Sequence, residues 1–153
     1  MIDFDRILAI MVQAHTGQKD KDGIPEVFHP IVVGMAGSND LEKAVGFLHD
    51  VIEDSSITFA DLRAAGIDER VLQALQLVTH AKDVPYYDYI QSIIASENEV
   101  AIAVKLHDLA HNLRRGRAGG YWKTVAKHEK AVDMFKKAFG TQLVDEIMGQ
   151  IGK

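Results

Sequence analysis

Within "GFLHDVIED", residues 46–54, the chain sets His49, Asp50, Glu53 and Asp54 directly behind an apolar run. Imidazole and carboxylate groups in that density suit a divalent cation bound through nitrogen and oxygen, favouring manganese, iron or zinc over calcium. The pair His49–Asp50 taken alone is more often an ion pair or a capping arrangement than a metal site, and Glu53–Asp54 taken alone suits a solvated helix end. The framing strengthens the metal reading. Ala44, Val45, Phe47, Leu48, Val51 and Ile52 cover most of the helix circumference, so His49 and Asp50 cannot both face water. An unpaired buried charge costs several kcal/mol, which calls for a compensating partner.

Two further positions have the same character. Asp108 sits in "VAIAVKLHDLAHNL", again apolar nearly all round. His29 precedes Pro30, a residue suited to the first turn of a helix. An imidazole at a helix N-terminus is held neutral by the dipole and is free to ligate a metal. Glu53 and Asp54 follow one turn after His49 and Asp50, the place for an acid or base beside the ion.

The elements that position these residues are helical throughout. "FDRILAIMVQAH" has amphipathic spacing, and "TGQKDKDGIPE" reads as a polar loop. His29 is expected as the cap of a helix over "PIVVGMAG". The next helix is expected to start at Asn39 or Asp40 and to run unbroken through "LEKAVGFLHDVIED". Thr58 and Asp61 form a variant capping box before "FADLRAAG", closed by Gly66. Amphipathic segments follow in "DERVLQALQLVTH", "YYDYIQSIIAS" and "NEVAIAVKLHDLAHNL". Gly116, Gly119 and Gly120 read as a flexible break before the last two segments, where Tyr121 and Trp122 are expected to pack the late helix. Strand-like alternation is missing. The expectation is one all-α bundle of about eight helices over residues 1–153, with a buried metal site.

Composition narrows the function. The chain has 153 residues with 47% hydrophobic and 25% charged, an ordinary globular make-up. It has no cysteine, which excludes disulfides, zinc–thiolate sites and thiol nucleophiles. A net charge of −5 argues against a general nucleic-acid binder. No secretory signal and no membrane span is visible, so the expected location is cytoplasmic and no membrane partner is expected.

Four ordered blocks, "AHTGQKDKDGIPEVFHP", "GFLHDVIEDSSIT", "LVTHAKDVPYYDYIQSI" and "VKLHDLAHNLRRGR", carry a resemblance. The chain resembles the HD-domain metal-dependent phosphohydrolases, and among them the RelA/SpoT-type alarmone hydrolases and their small stand-alone relatives. The resemblance covers nearly the whole chain. It implies His29, His49, Asp50 and Asp108 as metal ligands, Mn²⁺ as the ion (with another divalent cation as the alternative), and Glu53 and Asp54 as the catalytic pair. Asn112 matches the family residue that contacts the nucleotide sugar. The implied activity is guanosine 3′,5′-bis(diphosphate) 3′-pyrophosphohydrolase, a stringent-response enzyme. With no synthetase segment in these residues, it is expected to be hydrolase-only. Cationic candidates for the diphosphate are Lys19, Lys21, Lys105, Arg114, Arg115 and Arg117, with Lys21 and Arg114 favoured. No catalytic role falls to His15, His80, His111 or His128.

Two departures bear on substrate. Asp20 stands where the family commonly carries a guanine-packing arginine, and His107 replaces a small residue before Asp108. Asp20 keeps open a different phosphorylated nucleotide, NADPH or a nucleoside monophosphate, and a nucleotide-binding regulator without turnover is the remaining alternative.

Overall fold

Side chains that accept from otherwise free backbone amides fix half of the helix starts. Asp3 caps α1 (Phe4–His15), Asn39 caps α3 (Asp40–Leu48), Asp68 caps α6 (Glu69–Val78) and Asn98 caps α8 (Glu99–Gly119). The reciprocal box of Thr58 and Asp61 opens α5 (Phe59–Ala64). Each such cap is worth about 1 kcal/mol. The other helices are α2 (Phe28–Met35), α4 (Val51–Asp54), α7 (Tyr86–Ser96), α9 (Trp122–Phe139) and α10 (Thr141–Met148). The computed structural model describes residues 1–153 and is all-α, its only extended pairing being an isolated bridge between Lys19 and Pro25. Ten helices form where about eight were expected, and the one not anticipated as a separate element is the short α4. No helix is long and apolar enough to cross a membrane.

Three boundaries differ from the expectation, each for a local reason. The helix expected through "GFLHDVIED" stops at Leu48 and restarts at Val51. Asp50 takes φ −101° and ψ −2°, so the chain turns between the two metal-type residues. Helix α2 begins at Phe28, which puts His29 inside the first turn instead of at the cap. Pro30 is still tolerated, because amides of the first turn have no intrahelical acceptor. Helix α8 continues through Gly116 to Gly119, where a flexible break was expected. A Cβ on Gly116 would lie 2.9 Å from Val125 Cγ2, so this glycine lets α9 close on α8.

Helix α8 runs through the middle of the fold. Ala101, Val104, Leu106 and Leu109 are fully buried, within a core of 31 residues drawn from every helix and from Ile67 between α5 and α6. Helices α2 and α3 are held together by a glycine pair. A Cβ on Gly46 would sit 2.7 Å from Gly34 Cα and 2.9 Å from its amide nitrogen. Alanine normally improves a helix by about 1 kcal/mol over glycine. Here Gly46→Ala is expected to destabilise by about 1–3 kcal/mol, because rigid backbone has to move apart. Urea unfolding checks the sign; an unchanged or raised midpoint contradicts this packing.

Candidate metal centre and cleft

Helices α2, α3, α4 and α8 bring His29, His49, Asp50 and Asp108 to one point. His29 Nε2 lies 3.1 Å from His49 Nε2 and 2.9 Å from Asp108 Oδ1. His49 Nε2 lies 3.2 Å from Asp50 Oδ2 and 3.4 Å from Asp108 Oδ1, and His29 Nε2 lies 3.6 Å from Asp50 Oδ2. Ligand atoms sharing one cation at about 2.1 Å are themselves about 3.0–3.4 Å apart, so this donor set fits a divalent ion. The group His29, His49 and Asp50 holds three ligand atoms within 4.8 Å of one another. The turn at Asp50 matters here: on an unbroken helix the two neighbours would diverge by about 100°.

The tautomers also fit. His49 Nδ1–H donates to the Gly46 carbonyl at 2.7 Å, leaving Nε2 as a lone pair directed at the cluster. His29 Nδ1 lies 2.7 Å from His111 Nδ1. Burial, then the neighbouring His29, Arg115 and Arg114, pushes the His111 pKa down to about 4, so His111 is neutral and carries one ring lone pair. With that lone pair on Nδ1, His29 donates through its own Nδ1 and its Nε2 is free for a metal. Orienting partners of this kind act on metal affinity by about 10–100-fold. His111→Ala is expected to weaken metal binding by about that factor, as chelator competition would show; unchanged affinity contradicts the assignment.

Charge is balanced around the cluster. The Lys105 ammonium lies 2.8 Å from Asp108 Oδ2, and both side chains are buried. Burial works against the Asp108 carboxylate, and Lys105, His29 and His49 together overcome it and hold its pKa well below the usual range. Burial likewise lowers His49, but Asp50 and Asp108 more than offset it and leave its pKa raised without an ion. Lys105, named among the phosphate candidates, is thus engaged by a carboxylate.

Glu53 and Asp54 keep solvent-exposed faces but diverge. Glu53 lines the cavity of about 220 Å³ over His29, His49, Asp50 and Asp108, whereas Asp54 lines an adjoining cavity of about 520 Å³. Glu53 Oε1 accepts the His80 backbone N–H. Desolvation by the cleft walls raises both carboxyl pKa values, with Asp50 adding to the rise in each case.

Asn112 and Arg115 line both cavities and join them. Asn112 donates to Asp108 Oδ1 at 2.9 Å and accepts from Arg115 at 2.7 Å. Lys21 lies on the wall of the larger cavity, its ammonium 5.0 Å from the centre of the Tyr121 ring. Arg114 is not brought to the cleft. It is exposed beside Gly149 and Ile151 at the end of the chain. Asp108, Asn112 and Arg115 follow each other at helical spacing, while Arg114 projects about 120° away from Asp108. Tyr121 also leaves its expected place: its hydroxyl donates to Asp22 at 2.7 Å, and Trp122 is 64% exposed.

Asp20 has a structural task. Its Oδ1 accepts the amides of Asp22 and Ile24 at 2.9 and 3.0 Å, closing the loop, and its Oδ2 lies 3.7 Å from Arg115. Glu26 approaches the same guanidinium at 3.5 Å. Through Asp20, the loop helps to hold Arg115 in place.

No family model matches the chain. Curated relatives do. The chain is 32% identical over 127 residues to the chloroplastic RSH1 protein of Oryza sativa, covering 70% of this chain and 14% of that one. It is 29% identical over 138 residues to the GTP pyrophosphokinase of Streptomyces coelicolor, covering 83% and 16%. It is 28% identical over 123 residues to the guanosine-3′,5′-bis(diphosphate) 3′-pyrophosphohydrolase of Borreliella burgdorferi, covering 71% and 18%. The chain therefore spans less than a fifth of the length of these relatives. Among solved structures, it shares the fold of a metazoan ortholog of SpoT that hydrolyzes ppGpp and plays a role in starvation responses. The TM-score is 0.75 at 24% identity, covering 97% of this chain and 95% of that one. These are proteins of the kind the four sequence blocks resemble.

Proposed function

We propose that this chain, an HD-type hydrolase by motif and fold, is a Mn²⁺-dependent guanosine 3′,5′-bis(diphosphate) 3′-pyrophosphohydrolase whose domain is residues 1–153. The observation that carries the reading is the cluster of His29, His49, Asp50 and Asp108 at the base of a cleft that opens into a second polar cavity. Two joined cavities of about 220 and 520 Å³ match the size range of small-molecule sites.

His29, His49, Asp50 and Asp108 would hold the ion. When bound, the ion supplies Lewis acidity, bringing water toward ionisation near neutral pH and polarising a phosphoryl oxygen. Glu53 is the base that takes the proton of the attacking water, its raised pKa suiting it to the task. Asp54 faces the substrate cavity and orients the approaching group. Asn112 contacts the sugar, and Arg115, fixed by Asn112, Asp20 and Glu26, meets the diphosphate as a preorganised cation. Lys21 supplies a second positive charge from the loop. Water oxygen bonds to the phosphorus nearest the sugar, the bond from that phosphorus to O3′ breaks, and O3′ takes a proton. The products are GDP and pyrophosphate.

One observation favours a second substrate reading. Asp20 is spent on the loop backbone and Arg115, so this loop offers no arginine to pack a guanine base. A panel of the alarmone, NADPH and nucleoside monophosphates with added Mn²⁺ separates the two. Pyrophosphate from the alarmone supports the first reading; orthophosphate from another nucleotide alone overturns it. Arg115→Ala is expected to raise KM for the substrate about tenfold or more, the scale of a lost charge-assisted contact. Arg114→Ala is expected to leave KM unchanged. The reverse order contradicts the placement of the diphosphate.

A further inference from the structure

Three cations line the cavity over the metal cluster: Lys105, Arg115 and Lys127. Two of them are held by carboxylates. Lys105 lies 2.8 Å from Asp108 Oδ2, and Arg115 is approached by Glu26 at 3.5 Å and by Asp20 at 3.7 Å. Lys127, on α9, has no carboxylate oxygen within 4.0 Å. Its ammonium stands 4.1 Å from the centre of the Tyr86 ring, which Lys105 approaches at 6.0 Å. A ring face attracts the charge but leaves ammonium N–H donors free for an acceptor. Burial, then Lys105 and Lys21, lowers the Lys127 pKa, as expected of a cation set among like charges.

A contact with a ring is by itself an ordinary way to seat a lysine, and Lys130 does the same over Tyr87 at 4.2 Å. Lys130 lines neither cavity of the cleft, whereas Lys127 lines the one over the metal cluster. Asp50, Glu53 and Asp108 face the three cations there, so a divalent ion leaves this cavity with a positive excess that favours an anion. In the proposed reaction, Asn112 takes the sugar where the two cavities join, and the phosphorus nearest the sugar lies at the cluster. The terminal phosphate is then the group that remains to be placed in the metal cavity. Lys127 is the cation there with no carboxylate to compete for it.

We propose that Lys127 binds the terminal phosphate of the 3′-diphosphate and so selects a diphosphate over a single 3′-phosphate. This assignment rests on the alarmone reading and adds to it a residue that sets which 3′-group is accepted.

Binding without turnover tests it, in a Glu53→Gln chain that keeps all four metal-binding residues. In Mn²⁺-saturated buffer, calorimetry on the full chain is expected to show the alarmone bound about 10–100-fold more tightly than guanosine 5′-diphosphate 3′-monophosphate, the scale of a charge-assisted contact. Adding Lys127→Met, which keeps a stem over Tyr86 but no charge, lowers that ratio about tenfold. Lys127→Arg keeps the ratio, and Lys130→Met leaves it unchanged. A purely structural role would weaken both nucleotides alike. A ratio lowered less than about threefold in the folded Lys127→Met variant overturns the proposal. So does binding of neither nucleotide by the Glu53→Gln chain. Failure of the alarmone reading shows separately, as no pyrophosphate release by the parent chain, while the affinity ratio still reports on Lys127.

Discussion

Asp108→Ala is expected to abolish turnover and to lower the melting temperature of the metal-free protein by about 10 °C. The second effect follows from Lys105. Its ammonium is buried 2.8 Å from Asp108 Oδ2, and alanine leaves it without a counter-charge. Breaking one side of a buried ion pair costs about 3–5 kcal/mol. A domain of this size loses about 2–4 °C per kcal/mol. Asp108 also accepts from Asn112 and adjoins both imidazoles, so the loss spreads to the groups that position substrate. Scanning calorimetry with chelator present isolates this structural part from metal loss. An unchanged melt would mean that Lys105 finds another partner, and the charge balance described for the cluster would be wrong. Asp108→Asn, close in volume, is expected to keep more of the packing yet remain inactive.

Asp50→Ala is expected to act on chemistry with little effect on the apoprotein. Activity falls about 10³-fold or more, the scale on which one member of an interdependent catalytic set acts. Retained metal falls with it. Asp50 has no lysine or arginine partner, and its side chain is 18% exposed. It borders the carboxylates of Glu53 and Asp54, whose pKa values it raises. Its removal relieves that repulsion while taking a partner from His49, so the stability of the metal-free protein is expected to stay within about 1 kcal/mol of the parent. Metal analysis beside rate measurement checks the prediction. An active, metal-free Asp50→Ala protein contradicts the metal reading altogether. The contrast between the two aspartates is the informative part, since both belong to one cluster and only Asp108 pairs with a buried lysine.

Much of this site was legible in the chain, and the limits have physical causes. Burial of His49 and Asp108 followed from helices apolar nearly all round, and the structure places both beside His29. The turn at Asp50 was not legible, because the run from Val45 to Ile52 keeps helical periodicity through the break. What ends α3 is tertiary: α2 presses against it at the Gly34–Gly46 contact, and the chain turns where His29 arrives. Gly116 misled in the opposite sense, since a glycine chosen for close helix packing looks the same in sequence as one chosen for a turn. Arg115 could have been preferred to Arg114 by extending the Asp108–Asn112 register one turn further. The role of Asp20 could not, because it depends on an ion pair that joins a loop to α8 across almost a hundred residues.

The central claim is that a divalent ion at His29, His49, Asp50 and Asp108 serves attack by water on the 3′-diphosphate of guanosine 3′,5′-bis(diphosphate). Turnover in ¹⁸O-labelled water with Mn²⁺ tests it most directly, with the products separated and weighed. The account predicts GDP and pyrophosphate in equal amounts, label in the pyrophosphate alone, and no release once chelator is added. Orthophosphate as the product, label in the 3′-hydroxyl, or release undiminished by chelation would contradict it.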